Sequence, residues 1–290
     1  MRIIKRNTFN EPVNVESEPV PAWGPRVLTV TSGKGGVGKT NLSVNLAIAL
    51  TRLKQRVIIF DADLGMANVD VLLGITPPFN LYDYLYKGIP IEDILTPGPG
   101  GIRIISGGSG FLELACLTSQ QHSKLLEGLN KINGLADFII IDTGAGISKE
   151  VLAFCAAADE VLVVIAPEPT SLTDAYGLIK VIDRFKLQQN VYLIINQSHS
   201  EGESLDTLNR LRTLAGKYLT LKIQYLGDIR YDPCVSKAVK KQLPFLLTDC
   251  AAAAGVNKIA GAVLHKTFAT EQQAERGLPG FISKLGRLFR

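Results

Sequence analysis

The run Ser32-Gly33-Lys34-Gly35-Gly36-Val37-Gly38-Lys39-Thr40 sets Lys34 and Lys39 and a hydroxyl among glycines. Glycines let successive backbone N–H groups curl around an anion, and a helix starting at Thr40 adds its positive end. In such a loop Lys39 reaches the β- and γ-phosphates of a nucleotide and the Thr40 hydroxyl sits on Mg²⁺. Gly33, Gly35, Gly36, Val37, Gly38, Lys39, Thr40 and Asn41 are therefore the expected nucleotide contacts. Carboxylates complete the set. Asp61 and Asp63 end the apolar run 56–60, and Asp142 ends the run 137–141. At the carboxyl ends of parallel strands such groups lie on the ligand edge of a sheet. Asp142 is expected in the Mg²⁺ shell, directly or through water.

These residues need a frame. Val27 to Val30 reads as the strand before the loop and Thr40 to Leu53 as the helix after it. Further strands are expected at 56–60, 101–105, 137–142, 160–166, 190–196 and 221–226, with helices at 151–157, 172–185, 201–218, 233–241 and 250–268. Thr170 or Ser171 is expected to cap the helix from Leu172. The alternation predicts an α/β fold, a mostly parallel sheet with helices on both faces. Residues 1–25, punctuated by Pro12, Pro19, Pro21 and Pro25, read as a flexible arm, 26–276 as the nucleotide-binding domain, and 277–290 as a separate terminal helix.

The glycine loop with its second lysine, the Asp61–Gly74 stretch and Asp142–Gly146 resemble the deviant Walker A family of ATPases. That family includes septum-site, plasmid-partition and flagellar-placement proteins, and Asp61–Gly74 is most similar to the flagellar-number regulators. The resemblance implies ATP and Mg²⁺ as cofactors and slow ATP hydrolysis. It also implies an ATP-dependent homodimer in which Lys34 crosses to the partner's nucleotide; without it, Lys34 reads as a solvated surface lysine. Lys34, Lys39 and Asp63 are then the catalytic set, with Asp63 positioning the attacking water. Thr40, Asp61 and Asp142 form the metal set, and Asn196 reads the base edge. A helix-capping role for Asp61 or Asp63 is the plainer alternative. Arg230 stands where the family usually has proline, and is expected either to stack on adenine or to point outward. The Gly146 amide is a candidate γ-phosphate sensor. Gln197 and His199 depart from the guanine-reading pattern and favour adenine. Implied partners are a signal-recognition-type flagellar GTPase and flagellar switch or C-ring proteins. No Asp-Gln-Ala-type activating motif occurs near residue 1.

The last residues add a second theme. At about 100° per residue, Phe281, Ile282, Leu285, Leu288 and Phe289 share one apolar sector, while Lys284, Arg287 and Arg290 lie opposite. Such a helix reads as an anchor for an anionic membrane surface, or as one that packs back on its own domain. The expected location is the cytoplasm, peripherally attached to the inner face of the cell membrane. The 290 residues, 46% hydrophobic, suffice for a full core, and a net charge of +4 does not demand nucleic acid. Cys116, Cys155, Cys234 and Cys250 are spaced without metal or secreted-scaffold pattern and read as reduced and mostly buried. The combined expectation is an ATP-driven switch for flagellar number or placement. The rivals are a septum-site ATPase and a DNA-partition ATPase, the latter using lysines such as Lys237 and Lys240.

Overall fold

The computed structural model describes residues 24–63, 68–107, 117–265 and 276–288. Its frame is an eight-stranded sheet of β1 (Arg26–Ser32), β2 (Val57–Ala62), β3 (Leu95–Pro97), β4 (Arg103–Ile105), β5 (Phe138–Ala145), β6 (Glu160–Ile165), β7 (Asn190–Ser198) and β8 (Lys222–Arg230). The order across the sheet is β3-β4-β2-β5-β1-β6-β7-β8. Only the short edge strand β3 runs antiparallel to its neighbour. β5 and β6 carry long apolar runs, and β1, though interleaved with Thr29 and Thr31, is buried beyond its first residue, as parallel sheets covered on both faces require.

The helices are α1 (Lys39–Arg52), α2 (Val69–Leu73), α3 (Ser119–Lys131), α4 (Lys149–Ala157), α5 (Pro169–Arg184), α6 (Glu201–Tyr218), α7 (Pro233–Lys240), α8 (Ala253–His265) and α9 (Gly277–Leu288). Their starts follow local chemistry. Thr118 and Gln121 form a capping box on α3, and the Ser148, Ser200 and Asp232 side chains cap α4, α6 and α7. The core divides between the two sheet faces. One part gathers Leu46, Ile48, Val256 and Ile259 from α1 and α8; the other gathers Leu125, Phe154, Leu178, Leu211 and Phe281.

Several expectations need correction. β3 was not anticipated, because three residues ending in proline carry no alternation; at an edge the missing N–H costs no ladder bond. Pro25 is buried and its carbonyl accepts from the Leu278 N–H, so it belongs to the body rather than to an arm. The arm's residues 1–23 lie outside the described residues. Neither Thr170 nor Ser171 caps α5. Glu168 occupies the cap position, and the Ser171 hydroxyl instead accepts from the Ala166 N–H. Cys234 and Cys250 form a disulfide, while Cys155 is free and buried. Cys116 lies outside the described residues.

The terminal helix here takes the second of its two expected arrangements. α9 packs against α3, α4 and β1 of its own domain. Phe281 and Leu285 are fully buried, and the Phe281 ring lies parallel to Phe154 at 6.4 Å between centroids. The Asp159 carboxylate accepts from the N–H groups of Val27 (2.8 Å) and Gly277 (2.9 Å), tying β1 to the helix start. In this structure Phe281 and Leu285 are core residues, Ile282 and Lys284 are half-buried, and Arg287 and Leu288 are exposed. Phe289 lies outside the described residues. The physical reason is burial: placing a Phe and a Leu in a fitted groove stabilises by roughly 1.5–3 kcal/mol each. Nor is any helix among the described residues long and apolar enough to cross a membrane.

Candidate nucleotide site

The loop between β1 and α1 is built to lie close to an anion. Gly36 and Gly38 have φ of +79° and +95°, in the left-handed region, and a side chain at Gly38 would collide with the Asn196 amide. Gly35 and Gly36 face open space, which leaves their backbone free to approach a ligand. Val37 is buried, and its carbonyl accepts from Asn196 Nδ2 at 2.8 Å. Lys39 is buried as well; burial pulls its pKa down, and the charges of Asp142 and Asp63 oppose that pull. Thr40 and Asn41 are half-buried on the first turn.

Parallel register brings the acids to this loop. Asp61 sits opposite Asp142 across β2 and β5, and Asp142 opposite Val30 across β5 and β1. Both carboxylates are fully buried. Burial pushes Asp142 up to about 6, against the hydrogen bond from Ser43, the nearby Thr40 hydroxyl and the charge of Lys39. Ser43 donates to its Oδ1 at 2.7 Å, while Oδ2 closes no hydrogen bond among the described residues. A buried carboxylate oxygen without a partner, next to a hydroxyl on a phosphate loop, fits a divalent cation. Asp61 differs. Its Oδ2 accepts from the N–H groups of Asn68 (2.9 Å) and Val69 (3.0 Å), and Oδ1 from that of Asp63 (3.2 Å). It therefore organises the turn into α2, the capping alternative raised above, and its pKa rises to about 7 through burial and the Asp142 charge. Asp63 is half-exposed over Gly144 and electrostatically coupled to Lys39, beside the loop.

Lys34 turns away from the cradle. Its ammonium donates to Glu168 Oε2 at 2.8 Å and to Thr170 Oγ1 at 2.9 Å, at the start of α5 in the same chain. The pair is exposed, so it holds the lysine only loosely.

On the far side of the loop a cleft of about 130 Å³ is lined by Asn41, Leu42, Asn196, Arg230, Tyr231 and Phe245, among others. Asn196 faces it with one N–H of its NH₂ engaged by the Val37 carbonyl, leaving its second N–H and its carbonyl oxygen for a ligand. Arg230 lies at the end of β8 and pairs with Asp228 at 3.1 Å. The Gly146 N–H donates to the Ser32 carbonyl at 2.9 Å, so it is not free to sense a phosphate here.

These features coincide with a known group. A model of the CobQ/CobB/MinD/ParA nucleotide binding domain matches residues 28–245. The chain belongs to this family. It is 45% identical over 217 residues to the antiactivator FleN of Pseudomonas aeruginosa, covering 75% of this chain and 78% of that protein. With the flagellum site-determining protein YlxH of Helicobacter pylori it shares 32% identity over 90% of this chain and 89% of that one. A chain of the MinC:MinD cell division protein complex from Aquifex aeolicus superposes with a TM-score of 0.68 at 24% identity, covering 87% of this chain and all of that one. MinD complexed with Mg-ADP from Pyrococcus horikoshii gives 0.65 at 25% identity, over 82% and 96%. This MinD/ParA-type chain is thus an ATPase of the deviant Walker A kind.

Some working residues of this family member escaped sequence reasoning. Ser43 stands out in no motif; its position one turn after Lys39, on the buried face of α1, is the available signal. Glu168 carries no motif of its own and Thr170 reads only as a helix cap; their contact with Lys34 emerges from the fold. Tyr231 and Phe245, in the cleft wall, come together from separate elements and leave no local pattern. The switch segment 64–67 and most of the glycine stretch after β4 lie outside the described residues.

Proposed function

We propose that this chain is an ATP-driven switch that dimerises and controls flagellar number or placement, working at an anionic membrane surface. The observation that carries the reading is Lys34. It lies beside the cradle on an exposed, loosely paired contact with Glu168 and Thr170, from which it can swing to a facing copy. Similarity to FleN and YlxH supports the flagellar role over the septum-site one; identity to the septum site-determining protein MinD of Helicobacter pylori is 29%.

Within this reading the chain's groups divide the work. Gly35 and Gly36 present backbone N–H groups to the phosphates, and Lys39 offsets their charge from a desolvated position. Thr40 and Asp142 would hold Mg²⁺, which when bound draws charge from the leaving phosphate. Asp63 orients water, and Lys34 from the partner completes the charge stabilisation, so an isolated copy turns over slowly. Asn196 offers its carbonyl to the amino group of adenine. Membrane residence requires α9 to leave its groove, and two copies in a dimer would bind far better than one.

Flotation with anionic vesicles tests this. The wild type is expected to float with ATP and Mg²⁺ but not with ADP, and Lys34→Ala to lose the difference. Leu288→Asp, which alters an exposed position and spares the packed face, is expected to weaken flotation. Equal flotation in ATP and ADP, or none in either, would overturn the membrane switch. ATP-dependent, salt-sensitive retention on DNA without flotation would favour the partition reading instead.

A further inference from the structure

We infer that Cys234 and Cys250 form a reversible thiol–disulfide site that controls how fast nucleotide enters and leaves the base-side cleft. The inference rests on the nucleotide base occupying that cleft. The bridge joins the first turn of α7 to the segment before α8, with Cα atoms 5.5 Å apart. The loop it closes holds Val235, Ser236 and Phe245, and Asp232 stands just before it; all four line the cleft. The Phe245–Leu247 part of the loop is held independently of the bridge, since the Leu246 N–H donates to Asn45 Oδ1 and the Leu246 carbonyl accepts from Arg52. What the bridge adds is a tether on the start of α7, the part of the wall that carries Val235 and Ser236.

The two sulfurs are kept in range without the bond. The Asp232 carboxylate accepts from the N–H of Cys234 at 2.8 Å and from that of Ala252 at 3.2 Å, so one side chain positions both flanking segments. The Thr248 hydroxyl lies 3.1 Å from Cys250 Sγ and 3.9 Å from Cys234 Sγ. Opening the bridge therefore leaves a paired dithiol rather than an unfolded loop. Cys234 is the half-exposed partner and Cys250 the buried one, which makes Cys234 the point of entry. Cys155, fully buried with its pKa pushed up to about 12, is inert by comparison.

The oxidant class is a small-molecule disulfide such as oxidised glutathione. The Cys234 thiolate attacks one of its sulfurs, forming a mixed disulfide and expelling one thiolate. The Cys250 thiolate then attacks Cys234 Sγ, forming the protein S–S bond and expelling the second. The two protons lost by the protein thiols go to the two released thiolates. The protein dithiol is oxidised and the small disulfide reduced.

The test uses the full chain carrying Cys116→Ser, equilibrated with either reduced or oxidised glutathione, the bridge being quantified by alkylation and mass spectrometry. Release of a fluorescent ADP analogue is followed after a chase with unlabelled ATP. Oxidation is expected to slow release by about tenfold, the effect of ~1.4 kcal/mol of restraint on wall opening. Adding Cys234→Ser is expected to give the fast rate in both buffers. Equal release rates with the bridge confirmed present and absent would overturn the clamp. So would a pair that stays reduced in oxidised glutathione, or reduced protein that retains stoichiometric zinc through dialysis. Failure to bind the analogue in either state would instead overturn the assignment of the cleft.

Discussion

The lysine that marks this family is, in this chain, a residue with two possible partners. In the proposed dimer, Glu168 and Thr170 would compete for Lys34 with the nucleotide of the facing copy, and an exposed ion pair is worth only about 0–1 kcal/mol. Glu168→Gln should therefore tighten ATP-dependent self-association by severalfold in analytical ultracentrifugation, whereas Lys34→Ala should abolish it with nucleotide affinity little changed. The buried acids give a second prediction. Asp61 and Asp142 have folded pKa values raised to about 7 and about 6, so the native state holds more protons than the unfolded chain. Stability from this pair is present at low pH and is lost as pH rises from about 4 toward 7. Asp142→Asn removes one of the two repelling charges. It should raise the melting temperature of the nucleotide-free protein at pH 7.5 by a few degrees and leave it nearly unchanged at pH 5. Mg²⁺ with ADP should stabilise the wild type more than the variant.

Elements, by contrast, were readable to different depths. Strand β5 announces itself, because an apolar run ending in Asp142 has one sensible place in a parallel sheet. α6 matches its expected span because Ser200 supplies a cap and Leu208, Leu211 and Ala215 an inward face. The terminal helix was legible as amphipathic, but nothing local says whether its apolar face meets lipid or protein. Phe154 and Leu125 decide that, from more than a hundred residues away. The cleft wall is similar, assembled from β7, β8, α7 and the turn at Phe245. α9 supplies the prediction at this scale. Phe281→Ala should cost about 3–5 kcal/mol in urea unfolding, whereas Leu288→Asp should cost under about 0.5 kcal/mol. Asp159→Ala strands the N–H groups of Val27 and Gly277, and a loss of about 1–3 kcal/mol is expected in the same measurement.

For the whole molecule, the sheet order explains why one edge carries the chemistry. The central strand β1 lies between β5 and β6, and the loops leaving β1, β2 and β5 open at the same carboxyl-end edge. The helices then sort by face. α1 and α8 cover one side of the sheet, while α3, α4 and the docked α9 cover the other. The base-side wall and the groove of the terminal helix are thus separated by the sheet itself. That groove has a consequence for competition. A helix attached to the same chain presents itself to its own groove at an effective concentration of order millimolar. A free amphipathic peptide offering aromatic and leucine side chains four residues apart is excluded until it exceeds that level. Under the proposed membrane switch, drawing α9 away would turn the same pocket, lined by Phe154 and Leu125, into a vacant receptor for such a peptide.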